Sequence, residues 1–223
     1  MMLEAGFRHI FVGIETIQEE SLKLSKKTQN ERRNLMDSVI GLQRSGFIIT
    51  GGFIVGFDTD NKNTFKNQAK FIQESGIVIS IVNLLKAPIG TALYERIRKE
   101  GSLLPEFDFD ENLTNIIPII DARMLLEGYR DILDGIYSPR MVYERSLRFF
   151  EIYKGASVKN PIHRPLKIKY LMVAVRVFFF LGIKDRNRKY FFKLLLTALI
   201  KYPKRLDFAL LFSALLYQFS QMH

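Results

Sequence analysis

The chain has 223 residues, 48% of them hydrophobic and 25% charged, with a net charge of +10 and no cysteine. This length suits one large domain or two small ones, and the apolar content excludes a globally disordered chain. A chain without thiols can hold neither disulfides nor thiolate-bound zinc or iron–sulfur clusters.

The charge is unevenly placed. Residues 156–223 carry 13 Lys and Arg against Asp185 and Asp207, a balance of +11, whereas residues 1–155 balance at −1. The front therefore reads as a near-neutral globular region and the tail as a separate physical object. The opening Met1–Gly6 has neither the basic end nor the apolar core of a signal peptide, so a cytoplasmic location is expected.

In chain order, the front is predicted to contain three βα units. Ile10 to Ile14 is a short apolar run, predicted as a buried strand. Thr28 to Ser45 has helical spacing at Leu35, Val39 and Leu42, with Gly46 as its stop. Phe47 to Val55 is predicted as a second strand. Asn63 to Glu74 places Phe65, Ala69 and Ile72 on one helical face, and Ile77 to Leu85 is the third strand. Thr91 is placed to cap a helix running to Lys99, with Gly101 as its stop.

Residues 102–120 show no clear period, with Pro105, Pro118 and the acidic group Asp108, Asp110 and Glu111, read as a solvated loop. Ala122 to Ile136 is a predicted helix, and Ser138-Pro139 starts another running to about Tyr153. Gly155 to Pro165 reads as a linker. Three apolar stretches follow, at Ile168–Ile183, Tyr190–Tyr202 and Leu206–Phe219. The expected organisation is 1–101, 102–155 and 156–223.

The common catalytic signatures are absent. Gly51 and Gly56 have the spacing of a phosphate loop, but Phe57-Asp58 stands where Lys-Ser/Thr is required. The dinucleotide glycine pattern and the serine nucleophile elbow are missing. His9, His163 and His223 are scattered, without the spacing of a metal site. No residue is singled out as catalytic or as a metal ligand.

Two phrases carry more. Phe11-Val12-Gly13-Ile14-Glu15-Thr16 and Gly51-Gly52-Phe53-Ile54-Val55-Gly56-Phe57-Asp58 are apolar runs ending in polar residues beside glycine. That is the rhythm of successive strands in a parallel βαβ arrangement, where ligands sit at the carboxyl ends. The first phrase resembles the fourth-strand ending of radical S-adenosylmethionine (SAM) enzymes, and Gly52–Gly56 resembles their fifth-strand G-x-I-x-G. Ala87–Tyr94, followed by Glu100-Gly101-Ser102-Leu103-Leu104, is similar to the turn and helix after their sixth strand. Within that superfamily the chain looks like the cobalamin-binding-domain-containing subgroup, which includes hopanoid-biosynthesis enzymes.

The resemblance implies an α/β fold: the C-terminal half of a partial TIM-type (βα)6 barrel, strands four to six, followed by an all-helical region. It implies Glu15 as a contact to the SAM ribose, with Gly52, Ile54, Gly56 and Asp58 at the cofactor. The intact relatives use SAM, a [4Fe–4S] cluster and cobalamin. Strands one to three and the cluster loop have no counterpart here, so stable binding of these groups by the chain alone is not expected. The chain resembles the C-terminal portion of such an enzyme, acting on a lipid-like or other apolar substrate, truncated and inactive alone. An alternative is a non-catalytic, membrane-associated interaction module or the partner of a separately encoded N-terminal half.

Three readings of the tail arise: an internally packed helical subdomain covering the open side of the barrel, a membrane-surface element, or a nucleic-acid binder. Its apolar load is far heavier than nucleic-acid binding needs. Apolar stretches bordered by Lys184, Arg186, Arg188 and Lys189, and by Lys204 and Arg205, favour an anionic membrane surface or an apolar substrate. A peripheral position on the inner face of the membrane is therefore expected.

Overall fold

The structure, a computed structural model, describes residues 2–18, 34–104, 113–155, 178–184 and 188–220. Three parallel strands form one sheet in the order β1-β2-β3: β1 His9–Glu15, β2 Ile48–Val55 and β3 Ile79–Leu84. The crossovers carry α1 (Leu35–Ser45) and α2 (Lys62–Ser75), and α3 (Ala92–Lys99) follows β3. Then come α4 (Ala122–Tyr137), α5 (Pro139–Ile152), α6 (Arg188–Lys201) and α7 (Leu206–Ser220).

The predicted strands and helices fall where side-chain periodicity placed them, within one or two residues at most ends. Residues 28–33 of the predicted first helix lie outside the described residues; the described helix begins after Asn34, whose side chain accepts from the backbone of Met36 and Asp37. Asn61 and Thr64 close a reciprocal capping box on α2, and Thr91 and Ser138 cap α3 and α5 as their sequence positions suggest. Much of the predicted linker and of the first tail stretch, residues 156–177, is likewise outside the described residues.

The strand alternation divides the sheet into two unlike faces. Ile14, Ile49, Phe53, Val55, Val82 and Leu84 turn to one side and join Val39 of α1, Phe65 and Ile72 of α2, and Leu125, Ile132 and Ile136 of α4 in one buried cluster. Gly128 lets α4 approach α2 closely, since a Cβ there would sit 2.5 Å from the Phe65 ring. The other face carries His9, Phe11, Gly52 and Ile81, with Phe11 66% and Ile81 44% exposed. One face is a core and the other is largely uncovered by described residues.

The two sheet edges also differ. Leu85 donates its backbone N–H to Val55, so Ser80 and Val82 point their backbone groups away from β2. Those outward carbonyls accept from Tyr137 and Tyr129 of α4. Burial pushes the Tyr137 phenol up to about 12, keeping it a neutral donor. On β1 the outward positions are His9, Phe11 and Gly13, because Arg8 offers its carbonyl to Ile48 of β2. No described strand pairs with that edge.

A second cluster lies at the amino-terminal ends of β2 and β3. Val142, Phe149 and Phe150 of α5 pack with Leu194 and Ala198 of α6, Ala209 and Phe212 of α7, and Val78 before β3. Part of the tail is thus a layer packed on α5. Three strands in sequential order are shared by open sheets and by arcs of a barrel, so they establish an α/β fold and no finer architecture.

Candidate functional site

The residues implied by the resemblance gather around the carboxyl ends of β1 and β2. Gly13 and Gly52 are register partners on neighbouring strands, and Gly52 in turn pairs with Ile81 of β3. A Cβ built on Gly52 would lie 2.6 Å from Cζ of Phe11, so the Phe11 ring reaches across β2 above the bare backbone of Gly52. The ring fills the space that the missing side chain leaves, so the open face presents a flat aromatic surface at this point rather than bare backbone. Gly51, by contrast, is a packing glycine: its Cβ would meet Phe53 at 2.7 Å on the core side.

Glu15 ends β1 in a special conformation. The register slips between Gly13 and Glu15, and Glu15 has φ 64°, a positive value among non-glycine residues that costs on the order of 1 kcal/mol. The next peptide folds back, with Thr16 donating to the Ile14 carbonyl at 2.9 Å. This bend places a half-exposed carboxylate at the rim of the sheet.

Ile54 and Asp58 are less open than the resemblance alone implies. Ile54 is half-buried against Phe57, Leu85, Ala87, Ile97 and Ile116, a small cluster through which α3 and the following chain cover part of the carboxyl end. The Asp58 carboxylate is held by Arg96 of α3 at 2.6 Å, and Arg96 also lies 3.5 Å from Glu100. Gly56 follows β2 at φ 102°, a conformation suited to glycine, and its N–H donates to Asp60.

Two residues of this region were not singled out in the sequence. Asp60 is 4% exposed; its Oδ2 accepts from Gly56 at 2.7 Å and Phe57 at 3.1 Å, pinning the loop after β2. Its Oδ1 is buried without a hydrogen-bond partner, and burial raises the carboxyl's pKa against the opposing pull of the two N–H groups. Asn115, also buried, donates to the Ala87 carbonyl and accepts from the Ala87 N–H, both at 2.8 Å. It imitates a strand partner for the loop after β3, beside the antiparallel bridge of Leu103 and Ile116. The only sequence hint is a polar pair, Thr114-Asn115, before an apolar run.

Replacing Asn115 by Ala leaves both Ala87 groups buried and unpaired. A loss of about 2–3 kcal/mol in urea unfolding is expected, and less than about 0.5 kcal/mol would refute this role.

A groove of about 530 Å³ lies elsewhere, between α2 and α4, lined by Lys62, Phe65, Lys66, Glu127 and Asp131. It is on the helical side of the sheet, away from Phe11 and Gly52, and takes no part in the site. Among the described residues no group of three or more His, Asp or Glu is placed to hold a metal ion.

Comparison with known proteins places the chain in the family described as a domain of unknown function, DUF4070, which matches residues 91–223. Its class is the cobalamin-binding-domain-containing subgroup of radical SAM proteins, represented here by the C-terminal part. The chain is 30% identical over 191 residues to an uncharacterized methyltransferase of Synechocystis sp., covering 84% of this chain and 35% of that protein. It is 28% identical over 205 residues to the hopanoid C-2 methylase of Rhodopseudomonas palustris, covering 90% of this chain and 38% of the relative. A bacteriochlorophyllide d C-12(1)-methyltransferase of Chlorobaculum tepidum is 28% identical over 145 residues, 63% of this chain and 31% of the relative. The chain thus spans only about a third of the length of these curated relatives. No solved structure is a significant match.

Proposed function

We propose that this chain forms the SAM-facing C-terminal portion of a cobalamin-dependent radical SAM methylase that acts on an apolar, lipid-like substrate. The sheet is then an arc of a (βα)6 barrel, its strands corresponding to the fourth, fifth and sixth. The observation that carries the reading is the exposed Phe11 ring lying on Gly52, beside the bent carboxylate of Glu15. An exposed aromatic ring held flat on a glycine offers a planar base a stacking surface. An ionised carboxylate only accepts hydrogen bonds, which suits the two hydroxyls of a ribose.

The unequal edges support the same reading. Tyr129 and Tyr137 occupy the outer carbonyls of β3, whereas the outer edge of β1 has no described strand beside it. A completing half would therefore add at β1 and cover Phe11 and Ile81. In the loaded enzyme the cluster, SAM and cobalamin supply reductive cleavage and methyl transfer. The zero cysteines of this chain do not fit a cluster site, so that ligand set belongs to another segment or chain. The role left to these residues is binding and orientation: Gly52 and Ile54 beside the base, Glu15 on the sugar, Asp60 holding the loop at Gly56. The polypeptide as a whole would lie peripherally on the inner face of the membrane.

The test is a chimera in which this chain replaces the matching segment of the Rhodopseudomonas palustris hopanoid C-2 methylase. Glu15→Gln and Gly52→Val should each weaken binding of labelled SAM by about tenfold or more, with iron content unchanged. Unaltered SAM affinity in both variants of a chimera that retains its cluster would overturn the reading.

A further inference from the structure

We propose that the outward face of α6 is the surface through which this chain meets an anionic bilayer. The inference rests on the peripheral placement above, independently of the methylase reading, and names the residues that make the contact.

α6 carries apolar residues on two opposite sides. Phe191, Leu194 and Ala198 are buried, and Leu194 and Ala198 pack into the cluster with α5 and α7. On the opposite side Leu196 and Leu199 are each 56% exposed and Ile200 is 75% exposed. A helix that is apolar on both sides has two surfaces to bury, and protein covers only one of them among the described residues. The apolar patch continues beyond the helix: Phe178, 48% exposed, sets its ring 5.9 Å from that of Phe192.

Charge decides the occupant. Lys189, Lys193, Leu196 and Ile200 follow one another at helical spacings of four, three and four, so they share one stripe. The aliphatic patch is bracketed by exposed Lys189 and Lys193 at one end and by exposed Lys201 and Lys204 at the other. The Lys193 ammonium rests 4.7 Å over the Tyr143 ring and that of Lys189 lies 5.1 Å over Tyr190, contacts that long stems leave readily. Residues 188–220 hold six Lys and Arg and a single acid, Asp207. A protein partner would have to cover aliphatic side chains and also answer cations at both ends. An anionic bilayer does both at once, with the aliphatic groups in the headgroup boundary and the ammoniums at the phosphates. Among the described residues no helix is long and apolar enough to cross the membrane, so contact along a surface is the mode this layer allows.

The experiment is co-sedimentation of the full chain with vesicles of phosphatidylglycerol and phosphatidylcholine, and with phosphatidylcholine alone. The wild type should pellet with the mixed vesicles and much less with the neutral ones. Changing Leu196, Leu199 and Ile200 together to Ser should lower the partition by about tenfold or more at any salt. Lys189→Glu with Lys193→Glu should lower it by about tenfold at low salt and by less at high salt. All five residues are exposed, so circular dichroism should show both variants folded. If the wild type pellets and both folded variants pellet equally well, the assignment to α6 is wrong while peripheral placement stands. If the wild type stays in the supernatant at low salt, or binds neutral vesicles equally, the anionic surface is wrong as well.

Discussion

Arg145→Ala should cost about 3–4 kcal/mol of folding stability, among the largest effects of any single change in the chain. Arg145 lies on α5 with no exposed surface, and among the described residues no carboxylate is paired with it. Its guanidinium donates to the Ile136 carbonyl at 2.9 Å, the Val78 carbonyl at 3.2 Å and Gln73 Oε1 at 3.4 Å, leaving Nε without a partner. Burial pulls its pKa down to about 10, which still leaves the group charged at neutral pH. Carbonyl oxygens at the end of α4 and before β3 replace water around this cation, helped by the negative end of the α4 dipole. Truncation to Ala opens a cavity and strands two buried carbonyls. Arg145→Met keeps most of the volume and removes the buried charge, so its cost should be smaller, about 1–2 kcal/mol. Urea unfolding of the two variants checks this order. An Ala variant within about 1 kcal/mol of wild type would show that the carbonyl cage contributes little.

Phe149→Ala should cost about 3–5 kcal/mol and weaken the docking of the whole tail layer. The Phe149 ring is 1% exposed. It stacks on Tyr153 at 4.9 Å and meets Phe212 and Phe208 edge-on at 5.2 and 5.4 Å, so one side chain joins α5 to both turns of α7 that face it. The backbone of Phe149 also approaches Gly76 so closely that a Cβ there would lie 3.2 Å from the Phe149 nitrogen. The tail layer and the sheet therefore share α5, and one cooperative transition is expected rather than two. Phe53→Ala, in the sheet core, is the control and should lower the same midpoint. A Phe149→Ala protein that retains the wild-type midpoint, or a tail that melts separately in the wild type, would show the layer to be loosely attached.

The elements with strong local signals were legible in the sequence. Val39 and Leu42 mark a helical face, Ser138-Pro139 a helix start, and Gly46 and Gly76 the left-handed stops after their helices. These are short-range preferences, written within one turn of chain. The extent of the first helix and the stretch from 102 to 120 were harder to read. The Leu103–Ile116 bridge pairs residues thirteen positions apart, and no local pattern announces such a pair.

The candidate site divides along the same line. Strand endings at Glu15 and Gly56 could be read because an apolar run stops at a polar residue or glycine whatever surrounds it. Which of two nearby carboxylates would be buried could not be read. Asp58 faces Arg96, thirty-eight positions away, while Asp60 turns inward to the Gly56 and Phe57 amides. Likewise, the sequence shows that the tail is apolar and basic, but only packing decides which side of α6 is spent on α5 and which remains outward. Composition and periodicity act residue by residue along the chain. Burial of a particular carboxylate, closure of a particular sheet edge and exposure of a particular helix face depend on neighbours that the fold alone brings into contact.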